Sequence, residues 1–126
     1  MILIDTAVLI EIVDRASEKG KIAFEKLLGS GADYCTSSVC FYEFVYGCFK
    51  NAESYDKLEI IPNVVSFTKS DALLSAFIRD ASEKDGNAVP KLDAMIAAVA
   101  INNNCELYTF DKHFDYVQKL GLKLFG

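Results

Sequence analysis

Short apolar runs that do not alternate with polar residues recur along this chain, and each is followed by a stretch of helical periodicity. Such runs read as strands buried on both faces, which is the pattern of a parallel sheet covered by helices on either side. Strands are expected at MILI, at 33–36, at VVSF (64–67), at 106–110 and, as a last edge strand, at 122–125. Helices are expected between them at 7–13, 18–28, from the Ser37-Ser38 cap to near Gly47, at 51–58, at 71–84, at 91–102 and at 113–120. The order predicts an α/β fold, a three-layer α/β/α sandwich with a central parallel sheet. With 126 residues, 52% of them hydrophobic, there is material for one core, so residues 1–126 are read as a single domain.

Punctuation supports these boundaries. Gly29-Ser30-Gly31 stops the second helix, Pro62 breaks the chain before VVSF, and Thr68 or Ser70 can cap the helix at 71. Asp85-Gly86-Asn87 is the clearest loop, and Pro90 stands near the start of a helix, where a missing amide hydrogen costs least. No apolar run approaches the ~18 residues of a membrane span, and no signal-peptide core is visible, so a cytoplasmic protein is expected. Cys35, Cys40, Cys48 and Cys105 lack the Cys-x-x-Cys spacing of zinc and redox sites and read as small buried hydrophobes. The lone histidine, His113, reads as a solvated or locally hydrogen-bonded loop residue.

Four acids occupy positions that a core-facing segment does not favour: Asp5 after MILI, Glu43 in SSVCFYEFVYG, Asp93 in PKLDAMIAAVAI and Asp111 in ELYTFDKHF. A carboxylate held near a core needs a partner or a metal, and few cationic residues lie beside these four. Asp5 and Asp111 follow strand ends, while Glu43 and Asp93 sit on helices that start at the same edge, so all four can converge where parallel α/β sheets place their functional crevice. Asp5 is also explicable as an N-cap, Asp93 as a carboxylate at the positive end of its helix, and Asp111 as a turn residue. Glu43, mid-helix between Tyr42 and Phe44, has no such role.

The formal net charge of −5 argues at first against a nucleic-acid partner. Treating the four acids as metal ligands leaves the rest of the chain near neutrality, so RNA stays open, although lysines and arginines form no cluster.

The segments ILIDTAVLIE, SSVCFYEFVYG, LDAMIAAVA and LYTFDKHF resemble, in order and spacing, the four blocks of PIN-domain ribonucleases, particularly the small VapC-type toxins of toxin–antitoxin pairs. The resemblance runs the length of the chain. It implies a metal pocket of Asp5, Glu43, Asp93 and Asp111, with Thr6 or Thr109 supplying a hydroxyl beside it. Many members of that family carry an acid where this chain has His113, and Asp115 on the far side of Phe114 competes with Asp111 for the fourth place. The resemblance further implies a homodimer and a cognate antitoxin partner.

Oxygen ligands suit Mg²⁺ or Mn²⁺, which would relieve the repulsion among clustered carboxylates and activate a water against an RNA phosphodiester. The expected activity is therefore metal-dependent endoribonuclease cleavage leaving 5′-phosphate and 3′-hydroxyl ends. Lys112, Lys91, Lys50 and Arg15 are candidate contacts to RNA phosphates. The aromatic content of the third helix (Phe41, Tyr42, Phe44, Tyr46, with Phe49 beyond) exceeds what one core-facing stripe needs, which predicts an exposed face. Two rival readings are a PIN-fold module without catalysis, serving RNA binding or assembly, and a receiver-type signalling domain. The second requires a phosphoacceptor Asp after the third strand, where this chain has Thr68-Lys69.

Overall fold

Three apolar residues, Ile2–Ile4, form the middle strand, β1, and every other strand is placed relative to it. The structure, a computed structural model, describes all residues except Ala16 and Pro62, and gives the backbone but not the side chains of Asp14 and Arg15. The expected roles of Pro62 and Arg15 lie outside the described residues. The remaining strands are β2 (Tyr34–Ser37), β3 (Val64–Val65), β4 (Glu106–Tyr108) and β5 (Lys123–Leu124), all parallel, in the order β3-β2-β1-β4-β5. Register is set by pairs such as Ile2 with Tyr34 and Ile4 with Tyr108.

The helices are α1 (Thr6–Ile10), α2 (Glu18–Gly29), α3 (Ser38–Lys50), α4 (Lys69–Lys84) and α5 (Lys91–Asn102). Leu3, Cys35 and Leu107 face one core with Ile78 of α4 and Ile96 and Val99 of α5. Ile2, Ile4 and Tyr108 face the other with Val8, Leu9, Ala23, Leu27 and Phe44. The two faces of the sheet are therefore both buried, and each fully buried Leu or Ile adds about 1.5 to 3 kcal/mol. The expected three-layer sandwich with a parallel sheet is what the chain forms. Its order, with β1 between β2 and β4, differs from the 2-1-3-4-5 order of flavodoxin-like receiver domains, which removes that rival.

Local chemistry explains the departures from expectation. The first helix continues as a π-helical segment, Glu11–Arg15, beyond five α-helical residues. Gly20 is required next to it, because a Cβ there would collide with the Glu11 carbonyl. The third helix runs past Gly47 to Lys50, and no α-helix forms at 51–58. Instead Ala52 adopts φ 53° and breaks the chain direction before a 3-10 turn at Asp56–Ile60. The segment expected as a helix at 113–120 is a 3-10 stretch, Lys112–Leu120, ended by Gly121 at φ 110°. Strands β3, β4 and β5 are shorter than the apolar runs that contain them: Phe67 and Phe110 lie beyond the ladder, and Phe125 follows β5 with a last bond from its amide to the Leu107 carbonyl.

Two polar devices hold α4. Thr68 and Asp71 form a capping box, the Thr68 hydroxyl accepting from the Asp71 amide and the Asp71 carboxylate accepting from the Thr68 amide. The same carboxylate accepts from the Asn102 side-chain amide at 2.7 Å, tying α4 to the end of α5. At the other end of α4, the Asp85 carboxylate accepts from the Tyr116 hydroxyl at 2.7 Å, which fastens the 85–88 loop to the 3-10 stretch.

Candidate metal centre

The sheet order reverses between β1 and β4, the position at which an α/β sheet opens a crevice beyond its carboxyl ends. Asp5 follows β1 directly, and its amide donates to the Tyr108 carbonyl, so the last ladder bond of the β1/β4 pair sets its position. Thr109 follows β4. Its hydroxyl donates to Asp5 Oδ2 at 2.7 Å and accepts from the Asp111 amide at 3.0 Å, joining the two strand ends through one side chain.

Asp5 Oδ1 accepts from the Thr6 amide at 2.7 Å as the cap of α1, and the Thr6 hydroxyl donates to Glu43 Oε1 at 2.7 Å. One threonine thus links Asp5 to the middle of α3. That helix starts at the same edge because Ser37, the last residue of β2, caps it by accepting from the Cys40 amide. Asp5 is buried, at 5% exposure, and burial pushes its acid up to about 6. The bonds from Thr109 and Thr6 oppose that shift, while the charges of Asp93 and Glu43 add to it.

Asp93 lies in the first turn of α5, after Pro90, and is half-buried. Burial raises its acid, the charge of Asp111 raises it further, and His113 opposes the shift. Asp111 is the N-cap of the 3-10 stretch and accepts from the His113 amide at 2.8 Å. That turn brings the imidazole back over the acids, with Nδ1 3.1 Å from Asp111 Oδ1 and 3.4 Å from Asp93 Oδ2.

The site has two halves. Asp5, Thr6, Glu43 and Thr109 form a hydrogen-bonded inner half. Asp93, Asp111 and His113 form an outer half whose ligand atoms all lie within 4.8 Å of one another. Electrostatic repulsion spans both, since Asp5 and Asp93 each feel Glu43. Among the described residues no lysine or arginine pairs with any of the four carboxylates, and His113 is the one basic group against them. Excess negative charge on oxygen donors, left without cationic side chains, fits a hard divalent cation.

The other candidates fall at different distances from this centre. Thr6 and Thr109 both contact it, where one or the other was expected. Asp115 is exposed and lines a neighbouring open cavity of about 760 Å³ together with Lys112, His113, Tyr116, Lys119 and the 86–88 loop. Lys91 lines a separate cavity with Phe67, Ser75 and Arg79, and Lys50 Nζ lies 5.7 Å over the Tyr46 ring at the far end of α3. The four cysteines are buried. Burial and then the Asp5 charge push the Cys40 thiol up to about 11, which keeps it a neutral packing group.

His113 was not expected here. Its expected local hydrogen bond, to Asp111, is present, but its ring also joins the outer half beside Asp93, and the available signal was its position two residues beyond Asp111, where an aspartate cap turns the chain back on itself.

No curated protein sequence matches this chain. Solved structures do. VapBC2 from Rickettsia felis, bound to a DNA fragment from its promoter, is similar with TM-score 0.77 and 22% identity, covering 100% of both chains. VapBC-1 from nontypeable Haemophilus influenzae is similar with TM-score 0.78 and 21% identity, covering 99% of this chain and 97% of that one. VapBC-5 from Mycobacterium tuberculosis, a member of the VapBC family of toxin-antitoxin systems, gives TM-score 0.66 at 20% identity, with 97% of each chain covered. At these identities the likeness establishes the fold. The sequence model of the PIN domain matches residues 2–120, a span that contains all four acids and both threonines, and the chain belongs to the PIN domain family.

Proposed function

We propose that this protein is a metal-dependent endoribonuclease that hydrolyses RNA phosphodiester bonds, and that it acts in the cytoplasm, as a single domain, as the toxin of a type II toxin–antitoxin pair. The observation that carries the reading is the convergence of Asp5, Glu43, Asp93 and Asp111 at one sheet edge with no lysine or arginine paired to them among the described residues. Membership of the PIN domain family and the likeness to VapBC structures support it.

In this reading the four carboxylates hold Mg²⁺ or Mn²⁺. When bound, such an ion acidifies water and offsets the charge that builds on the scissile phosphate. The protein's own groups do the rest. Thr6 and Thr109 fix both oxygens of Asp5, so that carboxylate is oriented before substrate arrives. Glu43 is steadied by the Thr6 hydroxyl, which leaves half-buried Asp93 and Asp111 facing the side from which a phosphate enters.

A chain with one histidine has no imidazole pair for attack by the RNA 2′-hydroxyl, so water is the nucleophile and the products carry 5′-phosphate and 3′-hydroxyl ends. Lys112 and Lys119, lining the cavity next to His113, are placed to meet phosphates of an incoming strand, and unpaired RNA presents bases that such an open site can reach. Lys91 and Lys50 are proposed as outlying phosphate contacts.

Exposed Tyr42, Tyr46 and Phe49 on α3, beside Phe41 and Val45, leave an apolar face that supports binding of a cognate antitoxin and formation of a homodimer.

The test is incubation of purified protein with total RNA in Mg²⁺ or Mn²⁺, with EDTA and with Asp93→Asn as controls. Cleavage is expected only with metal and intact Asp93. Cleavage that persists in both controls would remove the mechanism. Metal binding without any cleavage would leave a non-catalytic RNA-binding or assembly module.

A further inference from the structure

The donor set of this centre is not purely carboxylate. His113 Nδ1 stands 3.1 Å from Asp111 Oδ1 and 3.4 Å from Asp93 Oδ2, and those two oxygens come from different elements, the N-cap of the 3-10 stretch and the first turn of α5. Adjacent donors around an octahedral ion with bonds of about 2.1 Å are separated by about 3 Å. The nitrogen therefore lies near the spacing of a neighbouring donor from each of the two oxygens, and all three residues offer ligand atoms within 4.8 Å of one another. The backbone supports that placement independently, because the His113 amide is bonded to Asp111 Oδ1 and so fixes where the ring begins.

We infer that His113 is a nitrogen ligand of the metal held by Asp93 and Asp111, and that it tilts the centre toward Mn²⁺ and other transition-metal ions over Mg²⁺. The inference rests on the metal-centre reading above and adds to it a particular ligand and a metal preference. The physical reason is ligand type. Carboxylate and water suit Mg²⁺ and Mn²⁺ alike, whereas an imidazole nitrogen adds affinity for transition-metal ions and little for Mg²⁺. A neutral imidazole also adds no negative charge, so the outer half binds a divalent ion with two formal charges rather than three. A histidine serving only as a protonated counter-ion to the two acids would act in the opposite sense, since metal would have to displace it.

The experiment is electron spin-echo spectroscopy of the Mn²⁺-loaded protein, with calorimetric titration of Mn²⁺ and Mg²⁺, on the wild type, His113→Asp and His113→Ala. The His113 side chain is 57% exposed, so both variants are expected to fold, and circular dichroism checks this. Expected results are nitrogen-14 modulation in the wild type that disappears in both variants, a roughly ten-fold or greater loss of Mn²⁺ affinity in His113→Ala, and a smaller Mn²⁺-to-Mg²⁺ affinity ratio in His113→Asp. Mn²⁺ bound without nitrogen modulation, or bound more tightly by His113→Ala, would overturn the ligand role and leave the carboxylate centre standing. No Mn²⁺ bound to the folded wild type would instead overturn the metal-centre reading, and this inference with it.

Discussion

Asp5 and Asp71 are both buried aspartates, at 5% and 1% exposure, and both accept hydrogen bonds on each carboxylate oxygen. Their surroundings differ. Asp71 closes a capping box with Thr68 and receives Asn102, all neutral donors, and its bonds account for its place at the start of α4. Asp5 also caps a helix and receives a threonine, yet the charges of Asp93 and Glu43 press on it from two other elements. Burial of a carboxylate is thus a poor mark of function. Convergence of like charges that a fold gains nothing from keeping together is a better one.

The largest effect expected to separate the two is on cleavage. Asp5→Asn keeps acceptor and donor atoms for Thr6 and Thr109 but removes a charge from the metal pocket. Loss of several kcal/mol of charge stabilisation lowers the single-turnover rate by about 10²-fold or more. Asp71→Ala leaves the rate per folded molecule unchanged. Equal losses in both variants would erase the distinction.

Next comes pH dependence. The acid of Asp5 is raised in the folded state from its ordinary value near 4 to about 6, so the metal-free fold binds this proton more tightly than the unfolded chain does. The contribution of Asp5 to stability is therefore greatest below about pH 4, and declines by up to about 3 kcal/mol as pH rises through about 6. The raised acid of Asp93 acts in the same direction. Urea denaturation in EDTA from pH 4 to 8 measures the decline. Asp5→Asn should flatten most of it, so this variant is more stable than the wild type at pH 7 while cleaving less. Saturating Mn²⁺ should flatten the wild-type curve as well.

Asp71→Ala should lower stability by about 2 kcal/mol, because it removes a cap and leaves the Thr68 amide and the Asn102 side chain without their partner. No dependence of that loss on metal is expected, and a metal-dependent loss in the same denaturation series would join Asp71 to the centre. The smallest effect belongs to Thr109→Val, which removes the bond that holds Asp5 Oδ2. Mn²⁺ affinity should fall by about ten-fold, the usual scale for a group that orients a ligand, with little change in the far-ultraviolet spectrum.

Much of this was legible along the chain. The unalternated apolar run MILI marks a strand covered on both faces, VVSF marks an edge strand with Val64 exposed, and α4 and α5 begin within two residues of the expected starts because Thr68 and Pro90 are strong local signals. The region 51–58 was misjudged because composition permits a helix there, while Ala52 in a left-handed conformation turns the chain out of it. The approach of the His113 ring to Asp93 was missed for a related reason: nothing local says which way a half-exposed ring points. Its direction follows from the Asp111 cap and from α5 arriving alongside.

Residue order was enough to indicate a parallel α/β sandwich and the family and to single out four acids as candidates, because hydrophobic period, caps and motif spacing are written locally. Two things depended on the assembled sheet: the pairing of β1 with β4, which lets a single threonine hydroxyl bridge Asp5 to the Asp111 amide, and the entry of an imidazole among the carboxylates. The first comes from long-range strand pairing and the second from a helix packed beside a local cap, and short-range patterning carries no information on distances across a fold.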